Sequence, residues 1–165
     1  MSIQKLYNTQ QTVFDMKDFQ RLFWEQNYNN LKSKISYYVK RWYIDRIRRG
    51  FFVKKDFDVL ELACKIYTPS YISFETVLQQ QNIIFQYDET IYLASYLSRD
   101  IQIKHKEKTI NICYRKIKWD ILLDQEGLIK KKYYTIASKD RAIKDMLYLK
   151  PDFYFDNLPD GYKNT

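Results

Sequence analysis

Residues 27–55, NYNNLKSKISYYVKRWYIDRIRRGFFVKK, hold a helix start, an apolar stripe and a hairpin in one run. Asn27 belongs to the residue types that cap helices by accepting a hydrogen bond from the amides of the first turn. A helix over about residues 28–41 puts Leu31, Ile35, Tyr38, Val39 and, just past its end, Trp42 on one stripe that must face a core. At about 100° per residue, the opposite face centres on Asn29, Ser33, Ser36, Tyr37 and Lys40, flanked by Asn30 and Arg41; it is polar and carries no acid. Beyond the helix, YIDRIRRGFFVKK alternates into two short strands around Arg48, Arg49 and Gly50, where glycine supplies the positive φ of a tight turn.

Upstream, Asp15 precedes MKDFQRLF, in which Met16, Phe19, Leu22 and Phe23 repeat at helical spacing, with Asp15 as the expected cap. Ile3, Leu6 and Tyr7 give a weaker apolar face for a first short helix. Three helices followed by a hairpin is the layout of a winged helix-turn-helix, whose helix after the tight turn enters the DNA major groove. A helix of about 14 residues is about 21 Å long. Its N-terminal half presents Asn29, Asn30 and Ser33, short neutral groups suited to base edges; asparagine pairs with N6 and N7 of adenine. Tyr37, Lys40 and Arg41 lie farther along, where a phosphate strand would pass, and Arg46, Arg48 and Arg49 sit on the hairpin. Residues 32–55 hold nine Lys and Arg against the single acid Asp45, a local charge equal to the net +8 of the whole chain. Such a concentrated basic stretch is the electrostatic footprint of a polyanion binder.

Downstream, FDVLELACKIY reads as a helix ended by Pro69, and SFETVLQQQ as a second one capped by Ser73. TIYLASYL, IQIKH and TINICYRKI alternate as strands of an antiparallel sheet, and KKYYTIA reads as a further strand. Ser138 caps a closing helix bearing Ala142, Ile143, Met146, Leu147 and Leu149, and the tail from Phe153 is expected to be loosely held. The expected fold is thus α+β: a winged helix-turn-helix over 1–55, then a small α/β domain with an antiparallel sheet over 56–165. A second basic stretch, with Arg99, Lys104, Lys106, Lys108, Arg115, Lys116 and Lys118, then Lys130, Lys131 and Lys132, falls on that sheet. It suits nucleic acid, an acidic partner or plain solvent equally.

Enzyme chemistry finds little support. His105 is the single histidine, which excludes a histidine triad or a multi-histidine metal site. Asp56 and Asp58 are better helix caps than metal ligands. Gly50, Gly127 and Gly161 are too scattered for a phosphate loop, and Cys64 and Cys113 suggest neither a disulfide framework nor zinc. No cofactor and no metal are expected. No apolar run nears the roughly 18 residues of a spanning helix, and MSIQKLYNTQ lacks a signal-peptide core, so a soluble cytoplasmic protein with no membrane partner is expected.

Three stretches, FDMKDFQRLF, IRRGFFVKKDFDVLELACKIYTPSYISFETVL and YTIASKDRAIKDMLYL, resemble in order and spacing the AbiEi family of type IV antitoxins and related transcriptional regulators. The resemblance covers residues 12–149, and its most specific pieces are the RRG hairpin and PSYIS at 69–73. It implies an N-terminal winged helix-turn-helix that represses its own operon at repeated operator sequences. It also implies a second domain with antitoxin activity toward a nucleotidyltransferase-like toxin. The expected function is therefore a sequence-specific repressor of double-stranded DNA rather than an enzyme, acting as two copies, possible as a homodimer, on repeated half-sites. The alternative is a protein-binding module that neutralises a toxin or acidic partner; a weaker one is an RNA binder stacking bases on Tyr37, Tyr38 and Tyr43.

Overall fold

Asp15 opens its helix with a reciprocal cap. In the computed structural model, which describes residues 3–163, the Asp15 carboxylate accepts from the Asp18 amide at 2.8 Å and the Asp18 carboxylate accepts from the Asp15 amide at 2.9 Å. Two amides that helix geometry leaves without partners are thereby satisfied. Asn27 does the same downstream, accepting from the amides of Asn29 and Asn30 at 3.0 and 3.2 Å. The order that follows is α1 (Gln4–Asn8), β1 (Val13–Phe14), α2 (Met16–Phe23), α3 (Tyr28–Lys40), β2 (Asp45–Arg48) and β3 (Phe51–Val53). The strands form an antiparallel sheet in the order β1-β3-β2, with Val13 opposite Val53 and Asp45 opposite the other side of Val53. Gly50 turns the β2–β3 hairpin at φ +83°.

The first unit buries Leu6, Phe14, Phe19, Phe23, Leu31, Ile35, Tyr38, Ile44 and Phe52. Phe14, Phe19 and Phe23 stack in series at 5.2 and 6.0 Å. A small unit has few core positions, and each buried Phe contributes about 1.5–3 kcal/mol, so aromatic side chains make a thin core sufficient. Trp42 departs from the expected stripe. The helix stops at Lys40 with Arg41 as C-cap, Trp42 turns to φ +61°, and its side chain is 74% exposed. Ile44 takes the core position instead.

The chain divides after Leu62, into units Met1–Leu62 and Ala63–Thr165, rather than after residue 55. Glu61 supplies the reason. Its carboxylate, 3% exposed, accepts from the Thr12 hydroxyl at 2.6 Å and from the amides of Thr12 and Val13 at 3.1 Å, tying the start of α4 (Val59–Ile66) to β1. Asp58 acts as the expected cap, accepting from the Leu60 amide at 2.8 Å.

The second unit continues with β4 (Ser70–Ile72), α5 (Phe74–Gln80), β5 (Ile91–Ser95), β6 (Arg99–His105), β7 (Lys108–Lys116), α6 (Trp119–Leu123), β8 (Leu128–Lys130), β9 (Thr135–Ala137) and α7 (Lys139–Leu149). Its six strands run in the order β6-β7-β5-β4-β9-β8. The sheet is mixed, not antiparallel: β5 pairs with β7 and β4 with β9 in parallel. After β5 the chain crosses one strand position to β6 and returns through β7, an ordering that alternation along each strand does not encode. KKYYTIA yields strand only at β9, because the Lys131 amide donates to the Tyr134 carbonyl in a turn between β8 and β9. Ser73 precedes α5 without capping it; its hydroxyl donates to Asp145 instead. The tail is held: Phe155 is 1% exposed, the Asn157 amide donates to the Ile83 carbonyl, and Asp156 accepts from the Phe85 amide. Among the described residues the chain is therefore mixed α+β, with seven helices and two sheets.

Candidate nucleic-acid interface

The cap on Asn27 sets where α3 begins, and the buried stripe of Leu31, Ile35 and Tyr38 sets its rotation. What remains outward is decided by that stripe. A groove of about 560 Å³ opens between α3 and the β2–β3 hairpin. Tyr28, Lys32, Ser36 and Lys40 line it from the helix, and Arg46 and Arg49 from the hairpin. Met16, Ile35, Val39, Gly50 and Phe52 complete it, so four cations and no carboxylate surround one concavity. Without an internal counter-charge, such a concavity favours an anion from solvent, and the arginine forks suit phosphate oxygens.

Three of the expected site residues, Lys40, Arg46 and Arg49, line this groove. Asn29 and Ser33 are exposed and lie about 20° and 60° around the helix from Ser36, on the edge of the same face. Asn30, Tyr37 and Arg41 are exposed too, yet they stand about 100–140° from Ser36, on a flank turned away from the groove. There the Arg41 guanidinium lies 5.5 Å from the centre of the Tyr37 ring. Arg48 is half-buried opposite Phe51, beside a bulge in β2, and does not line the groove. Tyr28, Lys32 and Ser36 were not among the expected contacts. Their signal was the position of the hairpin, which a helical wheel drawn for α3 alone does not contain.

Two further cations of the basic stretch, besides Arg41, are engaged within the unit. The Lys54 ammonium donates to the Thr9 carbonyl, and burial lowers its pKa against the opposing influence of Glu61. Lys34 lies 4.8 Å from the centre of the Phe23 ring. The charge density facing the groove is thus smaller than the residue count suggests.

The second basic stretch does not form one face. Arg115 makes a paired contact with Glu75, 2.8 Å on both sides, and lies 4.4 Å from the centre of the Tyr92 ring. Lys104, Lys106 and Lys108 sit at the β6–β7 turn, whereas Arg99, Lys116 and Lys118 lie at the other end, about 20 Å away along the strands. Lys130 ends β8, and Lys131 and Lys132 follow it.

Arg141, the most buried cation, has no donor left for a ligand. Nε donates to Asp145 at 3.1 Å, Nη1 to the carbonyls of Asp124 and Glu126, and Nη2 to the Tyr71 hydroxyl at 2.9 Å and the Ile121 carbonyl at 2.6 Å. All five N–H groups are spent on the protein. Burial raises the Asp145 carboxyl above its ordinary range, while the Ser73 hydroxyl and Arg141 pull the other way. Sequence periodicity placed Arg141 on the closing helix and offered no hint of this network, whose acceptors come from distant segments.

Among the described residues, no three His, Cys, Asp or Glu side chains gather as metal ligands, and no helix is long and apolar enough to cross a membrane. No protein-family model and no curated protein matches the chain.

Proposed function

We propose that the first unit is a winged helix-turn-helix that binds duplex DNA, and that the protein is a sequence-specific repressor. The observation that carries the reading is the acid-free groove in which Lys32 and Lys40 of α3 face Arg46 and Arg49 of the hairpin. Thirteen residues of α3 make a rod about 20 Å long and, with side chains, about 10–12 Å across, which suits a major groove about 12 Å wide. In that pose Asn29 and Ser33, with Ser36 behind them, meet base edges, and the four cations hold the strand that passes between helix and hairpin. The resemblance to AbiEi-type antitoxins supplies the biological setting: repression of the protein's own operon from repeated half-sites, with the second unit directed at a nucleotidyltransferase-like toxin.

The test is a titration against duplex DNA from immediately upstream of the gene, beside an unrelated duplex and an Arg46→Glu, Arg49→Glu variant. The expected result is selective binding that the variant loses. Equal, weak binding to both duplexes would reject sequence-specific repression at that site.

A further inference from the structure

Trp42 occupies a position where tryptophan is costly. It follows the C-cap of α3 at φ +61°, in the left-handed region that glycine enters without steric penalty and bulky residues avoid. Its side chain is 74% exposed, so the backbone cost is not offset by burial of the ring in the core. Trp24, at the end of α2, shares both features, with φ +53° and 84% exposure. The two differ in charge. Trp24 stands between the Arg21–Asp18 ion pair at 2.9 Å and Glu25, whose carboxylate accepts from the Asn27 amide. Trp42 follows Lys40 and Arg41 directly, two residues past Lys40, which lines the cationic groove.

We propose that Trp42 contacts the sugar–phosphate backbone of duplex DNA, an inference that rests on the DNA-binding reading of the first unit. An indole suits this task twice over. Its ring covers the apolar face of a deoxyribose, and its N–H, a donor with no acceptor character, suits a phosphate oxygen. A helix that crosses the major groove brings its ends toward the two backbones that border it, and Lys40 supplies the attraction for a strand at this end. The contact is uncharged, so it adds affinity without displacing counterions, and it touches no base edge, so it adds no sequence preference.

The experiment compares the full-length wild type with Trp42→Gly and Trp24→Gly, by fluorescence anisotropy on the upstream duplex, a scrambled duplex and the corresponding single strand. Thermal unfolding is measured in parallel. Glycine at a left-handed position relieves strain, so both variants should melt at or above the wild-type temperature, which separates a binding defect from a folding defect. Trp42→Gly is expected to weaken binding to both duplexes about tenfold, the effect of returning an aromatic ring to water, with the slope of log affinity against log salt unchanged. Trp24→Gly is expected to bind as the wild type does. Wild-type affinity in Trp42→Gly, a loss confined to single strands, or a changed salt slope would each overturn the proposal. Failure of the wild type to bind any duplex would instead overturn the DNA-binding reading itself.

Discussion

On the proposed DNA-binding reading, the number of phosphates held in the groove can be measured through salt. Lys32, Lys40, Arg46 and Arg49 line the concavity, and each cation that neutralises a DNA phosphate releases condensed counterions. Four contacts correspond to a slope of log affinity against log salt of about −3.6, which means about a 150-fold loss of affinity between about 50 and 200 mM salt. Replacing Arg46 and Arg49 by glutamine leaves two contacts, and the slope should fall to about −1.8, with about a 12-fold loss over the same range. Fluorescence anisotropy on a labelled duplex at several salt concentrations reads both slopes directly. The reasoning is refuted if the double variant keeps the wild-type slope. It is also refuted by a wild-type slope near about −8, which would mean that all nine basic residues of 32–55 engage phosphates, including the Lys54 held by Thr9 and the Lys34 set against Phe23.

Two predictions concern the second unit. Arg141→Met leaves the Asp145 carboxylate buried without its cation and strips a donor from the Tyr71 hydroxyl and three carbonyls, so chemical denaturation should show a loss of about 3–5 kcal/mol. Adding Asp145→Leu should recover part of that loss by removing the orphaned charge; no recovery, or a single-variant loss below about 1 kcal/mol, would contradict the clamp. The second prediction concerns alkaline pH. Burial, followed by the hydrogen bond its hydroxyl donates to Asp88, raises the Tyr92 phenol from 10.0 to about 12. Folding therefore favours the neutral phenol, and its stabilisation is fully present below pH 10.0 and lost as pH rises toward about 12. Tyr92→Phe should flatten the fall in melting temperature across that window, and an unchanged profile would show that Tyr92 does not govern it.

Local chemistry was legible wherever its partners lie within a few residues. Asp15, Asn27 and Ser138 cap as their side chains suggest, Gly50 turns the hairpin, and Leu31, Ile35 and Tyr38 form the buried stripe. The errors fall where a distant segment competes. Trp42 leaves the stripe because the helix ends before it and Ile44 fills the core. Ser73 turns from capping to Asp145, a residue far along the chain that is brought alongside only by folding. The tail is anchored because Phe155 finds a buried position and Asp156 an amide at residue 85, neither of which alternation or propensity contains.

The candidate site divides along the same line. Helical 3.6-residue geometry places Asn29, Ser33 and Lys40 outside the core, because the apolar stripe leaves them no other face, and their charge keeps Arg46 and Arg49 of the hairpin exposed. Which of those outward groups converge is a separate matter. The turn of the β2–β3 hairpin toward Lys32, Ser36 and Lys40 gathers Arg46 and Arg49, and leaves Asn30, Tyr37 and Arg41 on another flank. By itself the sequence determined the longer helices, the caps at Asp15, Asn27 and Ser138, the hairpin turn and the surplus of positive charge, all of which depend on neighbours along the chain, whereas the short elements β1, β4, α6 and β8 were not legible in it. The tertiary structure alone decided strand direction, the mixed sheet and the shape of the groove, because hydrogen-bond pairing and packing between distant segments choose one arrangement among several that satisfy the same local pattern.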